Sequence, residues 1–74
     1  MKHYLDTTGK LCPFPLIELQ KYMAPLASGA EVVLDYDCAQ ATENIPRWAA
    51  QEGHDVVHFA QKGDAAWTMT IRKG

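Results

Sequence analysis

Cysteine is scarce in this chain: two in 74 residues, Cys12 and Cys38. That is too few for the disulfide-dense scaffold of a small secreted domain. The two form no C-x-x-C pair, so neither a thioredoxin-type dithiol nor a zinc ribbon is signalled. No apolar run approaches the ~20 residues that a membrane span requires. The opening residues, MKHYLDTTGK, lack the apolar stretch of a signal peptide, so a cytoplasmic protein is expected. Basic clusters are missing too. The seven Lys and Arg are scattered singly apart from Arg72–Lys73, and the formal net charge is −2. Nucleic-acid binding wants a basic patch and is disfavoured. His3, His54 and His58 lie far from both cysteines in sequence, which makes metal binding the weaker reading for all three. No metal or organic cofactor is implied. Repeats, linkers and low-complexity segments are likewise absent.

What is present is an ordinary globular composition, 47% hydrophobic and 22% charged. The length points to one domain over residues 1–74. A core of this size supplies only about 3–5 kcal/mol, so every element should help to bury one shared face. Residues 3–7, HYLDT, alternate in polarity and predict a first strand, broken by Gly9. From Pro13 the run PFPLIELQKYMAPLA reads as a helix with Leu16, Leu19, Met23 and Leu26 as its buried stripe. Pro25 falls late in that pattern and is placed to kink or shorten the last turn, ahead of the stop at Ser28-Gly29. Residues 31–36, EVVLDY, predict a second strand. A second helix is expected over Thr42 to Glu52, with Pro46 in its first turn and Gly53 closing it. Residues 54–61 and 65–72 predict two more strands around a turn at Lys62-Gly63-Asp64. The last strand alternates Trp67, Met69 and Ile71 with Thr68, Thr70 and Arg72, the pattern of a sheet with one covered and one wet face. The expected architecture is a two-layer α/β sandwich of order βαβαββ, with two helices on one face of a four-stranded mixed sheet.

The stretch GKLCPFPLIELQK, residues 9–21, places Cys12 at the start of the first helix. Pro13 fixes a helical φ and lacks an N–H that a first turn would not use. It also pushes Cys12 towards extended geometry, which favours an N-cap position. Phe14 precedes Pro15, so the helix could equally begin there, and either start leaves Cys12 at the N-terminal end. That end carries partial positive charge and free N–H groups. A thiol so placed ionises more readily than a free one, and the same N–H groups favour oxyanions. The alternative is a buried cysteine acting as a small apolar residue. Gly9, Pro13 and Pro15 around it favour the reactive reading.

With these residues in view, LDTTGKLCPFPLIELQK resembles the signature of the TusA/SirA-type sulfur carriers, with its CPxP core. IPRWAAQEGH and TIRKG are similar to that family's second helix and last strand, and the resemblance runs from Tyr4 to Lys73. Within the family, YDCAQATENIPRWAAQEGH and GDAAWTMTI look most like the YeeD branch, whose members accompany the membrane thiosulfate transporter YeeE. The resemblance implies the same βαβαββ fold and makes Cys12 the cysteine that carries sulfur as a persulfide or related adduct. It also implies a role for Lys21, which matches a basic residue of the family's helix; a solvated surface lysine is the alternative. Lys10 and Lys21 are candidates to hold a thiosulfate dianion, beside the helix-start residues Pro13, Phe14 and Pro15. If the first two strands are parallel, Cys12 and Cys38 share one edge of the sheet. Cys38 then reads either as a resolving or sulfur-accepting thiol, or as a partly buried turn residue. The implied partners are thiosulfate or another sulfane-sulfur donor, a YeeE-type transporter that would hold the protein at the inner membrane, and a downstream thiol acceptor. A pure carrier loaded by a separate sulfurtransferase and a regulatory module of the transporter are the rival readings. RNA binding, through a fold shared with a translation initiation factor domain, is disfavoured by the acidic balance.

Overall fold

Alternation, β-branching and two short apolar helical stripes build the chain in the expected order. The computed structural model describes residues 2–11 and 14–74. In it β1 spans Lys2–Asp6, α1 Phe14–Met23, β2 Glu31–Tyr36, α2 Ala41–Gln51, β3 Asp55–Gly63 and β4 Ala66–Arg72. The sheet order is β1-β2-β4-β3. β1 and β2 run parallel, from Lys2 opposite Glu31 to Asp6 opposite Asp35. β4 is antiparallel to both β2 and β3, so the sheet is mixed, as expected.

One cluster holds the core. Leu19 and Met23 of α1 and Ala41, Ile45 and Ala49 of α2 meet Val32, Leu34 and Tyr36 of β2 and Met69 and Ile71 of β4. Both helices therefore cover the same face, and β2 and β4, the two central strands, supply its floor. Leu16, Leu26, Trp48 and Trp67 pack around the rim, and Trp67 stacks on Tyr36 with ring centroids 5.9 Å apart. The other face is less wet than the alternation of β4 implies. Thr70 is buried, because Val33 of β2 and His58 of β3 flank it across the ladder.

The prolines shift two boundaries. α1 ends at Met23 instead of running to residue 27, because the residue before Pro25 is disfavoured in helical geometry and Pro25 has no N–H to continue the ladder. Lys73, arriving from the end of β4, then closes that helix: its Nζ donates to the carbonyls of Met23, Ala24 and Leu26 at 3.0, 3.0 and 2.5 Å. α2 begins at Ala41, one residue early, so Pro46 lies inside the helix and not in its first turn. The early start follows from a tight entry, in which the N–H groups of Ala41, Thr42 and Glu43 bond to the carbonyls of Cys38, Ala39 and Gln40. Gly53 closes α2 as expected. Its φ is +77°, its N–H bonds to Ala50, and the N–H of His54 bonds back to Ala49, the double closure of a Schellman turn.

Lys73→Met should lower stability by about 1–2 kcal/mol in urea denaturation, since charged hydrogen bonds to the α1 terminus are lost. Burial pushes the Tyr36 hydroxyl above the ordinary tyrosine value, while its 3.4 Å contact with the Thr42 hydroxyl pulls weakly the other way. The folded state thus favours the protonated phenol. This contribution is fully present below about pH 10, the ordinary value, and is lost as pH rises through the higher folded one. Denaturation midpoints measured across that range should fall more steeply for wild type than for Tyr36→Phe.

Candidate functional site

The parallel pairing of β1 with β2 brings the loops that leave them to one edge of the sheet. The ladder continues for one residue past β1: the N–H and Oγ1 of Thr7, which is fully buried, both donate to the carbonyl of Asp35, at 2.8 and 2.9 Å. The first loop then turns sharply. Asp6 Oδ1 accepts from the N–H and hydroxyl of Thr8, at 2.9 and 2.6 Å, and these bonds, the side-chain one first, hold the Asp6 carboxyl below its ordinary range. The Lys10 N–H bonds to Thr7 across a turn in which Gly9 has φ +85°. From the second loop, Asp37 Oδ2 accepts the Gly9 N–H at 2.8 Å. Together Gly9, Lys10, Leu11, Asp37 and Cys38 line an open hollow of about 290 Å³.

Cys12 and Pro13, on which the expected N-cap and the stiffened helix start rest, lie outside the described residues. Their described neighbours frame the place. Leu11, which lines the hollow, is 77% exposed, and Phe14, at the start of α1, is 51% exposed. The Phe14 N–H bonds to the Leu11 carbonyl at 2.8 Å. With Phe14 so engaged and Pro15 lacking an N–H, the first turn of α1 offers an incoming anion fewer donors than a helix start ordinarily does. Pro15 is buried and anchors that turn in the packing. No acidic residue occupies the turn.

The structure brings Lys10 to the hollow with Cys38, and it does not bring Lys21. Lys21 is exposed in the last turn of α1, about 10 Å further along the helix axis than Phe14. Cys38 is half-buried, packs against the core rim and is disulfide-bonded. Among the described residues, no three His, Cys, Asp or Glu side chains are grouped to hold a metal ion. His54 is engaged elsewhere, its Nδ1 accepting the Gly74 N–H at 3.1 Å and its ring 5.1 Å from that of Trp48. No helix of the described residues is long and apolar enough to cross a membrane.

Reading by residue type passed over Asp37. Its signal in the sequence is faint, an acidic residue directly before the second cysteine. Its partner is the N–H of a glycine 28 positions away, which nothing local can announce. The acidic character of this edge was also not apparent. Asp6, Asp35 and Asp37 gather here, satisfied by Thr8, by Lys62 at 3.1 Å and by Gly9 respectively.

Comparison with known proteins follows the same line. A family model described as "Sulfurtransferase TusA" matches residues 3–73. TsuB of Escherichia coli K12, provisionally named a sulfur carrier protein, is 52% identical over 69 residues, covering 93% of this chain and 92% of that one. MJ0990 of Methanocaldococcus jannaschii, provisionally named in the same way, is 35% identical over 93% of this chain and 91% of its own. The crystal structure of a SirA-like protein from Desulfitobacterium hafniense superposes with a TM-score of 0.85 at 27% identity, covering 100% of this chain and 99% of that one.

The Gly9 turn is open to a direct check. A Cβ on Gly9 would meet no atom within 4 Å, so the strain of Gly9→Ala is purely conformational. It should cost about 1–2 kcal/mol in denaturation experiments, and Gly9→Asn, which tolerates positive φ better, should cost less.

Proposed function

This chain belongs to the TusA sulfurtransferase family, and we propose that within it the protein takes sulfur from thiosulfate onto Cys12 and passes it on. The observation that carries this reading is the meeting of the two strand-to-helix loops at one hollow. Gly9, Lys10 and Leu11, the residues leading directly to Cys12, line it together with Cys38. In the first step the Cys12 thiolate attacks the outer sulfur of thiosulfate. The S–S bond of thiosulfate breaks, sulfite leaves with the bonding pair, and Cys12 holds a persulfide. Lys10, which lines the hollow, is the cation that would meet the dianion. In the second step the Cys38 thiol attacks the inner sulfur of that persulfide. A Cys12–Cys38 disulfide forms, hydrogen sulfide leaves, and an external thiol later reduces the disulfide. The protein is on this reading a thiosulfate-decomposing sulfurtransferase.

The likeness of YDCAQATENIPRWAAQEGH to the YeeD branch supports a finer placement, as the cytoplasmic companion of a YeeE-type thiosulfate transporter. The exposed Leu11 at the hollow and Phe14 at the start of α1 are the contact such a partner would use. One observation favours a second reading, a pure carrier loaded by another protein. The edge gathers three carboxylates, of which Asp35 is paired with Lys62, and two of the four N–H positions in the first turn of α1 are taken or missing at Phe14 and Pro15, so a free dianion is met by less positive potential than a helix start normally provides.

Intact mass after thiosulfate treatment, with sulfite and sulfide assays, separates the readings. Wild type should release both products and gain an internal disulfide. Cys38→Ser should accumulate a Cys12 adduct heavier by one sulfur, and Cys12→Ser should yield neither product. Reduced wild-type protein that stays unmodified by thiosulfate, yet accepts sulfur from a persulfidated protein, is the carrier's signature and would overturn self-loading.

A further inference from the structure

Asp37 has no part in the steps just described, yet it joins the two loops that supply the thiols. Direct strand pairing ends at Asp6 opposite Asp35, and Thr7 extends it by one residue. Past that point the chains diverge towards α1 and α2. There the Asp37 carboxylate takes the Gly9 N–H at 2.8 Å. The bond spans from the residue after β2 to the apex of the turn after β1. Gly9 stands three residues before Cys12, and Asp37 is the direct neighbour of Cys38. An ionised acceptor makes a shorter and stronger bond than a neutral one. It also presents no hydrogen to compete for the site.

We propose that Asp37 is a positioning residue, whose hydrogen bond to Gly9 fixes the first loop relative to the second so that Cys38 can attack the sulfur held on Cys12. This rests on the two-thiol reading above. Thiol–disulfide exchange needs the attacking, central and leaving sulfurs nearly in line, and a misplacement of about 1 Å can slow such a step ~10²-fold. The first step needs Cys12 and thiosulfate alone. The second needs the two loops in register. Loss of the clamp therefore falls mainly on the second.

The test follows sulfite and sulfide release from reduced protein in single turnover. Asp37→Ala should lower the ratio of sulfide to sulfite rate by about tenfold or more. Asp37→Asn retains a side-chain carbonyl for the Gly9 N–H and should restore most of the ratio. Asp37→Glu keeps the charge but displaces the acceptor by one methylene, and should fall between them. A general structural weakening would slow both steps together in Asp37→Ala, and that result overturns the proposal. So does an Asn variant as impaired as the Ala variant. If wild type makes no adduct with thiosulfate, it is the functional reading that fails, and the clamp is decided with oxidised glutathione. Closure of the Cys12–Cys38 disulfide from the Cys12 mixed disulfide should then show the same order: wild type, Asn, Glu, Ala. Equal closure rates in all four would overturn it.

Discussion

The parallel, in-register pairing of β1 with β2 is the constraint from which the remaining architecture follows. A parallel pair cannot be closed by a hairpin, so the chain must cross the sheet between the two strands, and α1 is that crossover. The same pairing makes both strands end side by side, at Asp6 and Asp35, so that their outgoing loops share one edge. β4 then occupies the free side of β2, antiparallel, and β3 hangs on β4 as the far edge. Had β1 and β2 been antiparallel, Gly9 and Asp37 would lie at opposite edges and the hollow would not exist.

A chain this short has one face to bury, and it spends its apolar residues there. α1 and α2 lay narrow stripes over β2 and β4, while Val56 and Phe59 on β3 remain partly exposed at the sheet margin. The helix ends show how little is left over. Pro25 stops α1 before its apolar pattern is complete, Leu26 still packs from the following turn, and a lysine from the end of the sheet satisfies the freed carbonyls. Exposed ion pairs such as Asp55–Arg72, at 3.2 Å, add little by comparison.

The chemistry of the edge is a balance of opposed effects. A helix start, Lys10 and Lys62 favour an anion. Three carboxylates oppose it, and each is held by a partner that fixes it in place. Such an edge is suited to ordering its loops. The exposed Leu11 and Phe14 add an apolar margin of the kind another protein surface would cover.

The sequence by itself determined the element order, the sides on which Leu19, Met23, Ile45, Met69 and Ile71 are buried, the Gly53 stop and the family, because each of these depends on residues near one another in the chain or on a contiguous motif. It placed Cys12 and Cys38 after two strands, and from the order of elements it reached the shared edge of the loops that leave β1 and β2. Boundaries set by competing local effects were less legible: α1 yields to Pro25, and α2 starts early because the Cys38–Gln40 carbonyls take up its first N–H groups and leave Pro46 inside. The Gly9–Asp37 bond, the Lys73 closure of α1 and the burial of Thr70 were decided by tertiary structure alone. Each joins groups 28 to 50 residues apart or lies between neighbouring strands, so no local pattern encodes it, and it exists only once the sheet has set the loops and strands beside one another.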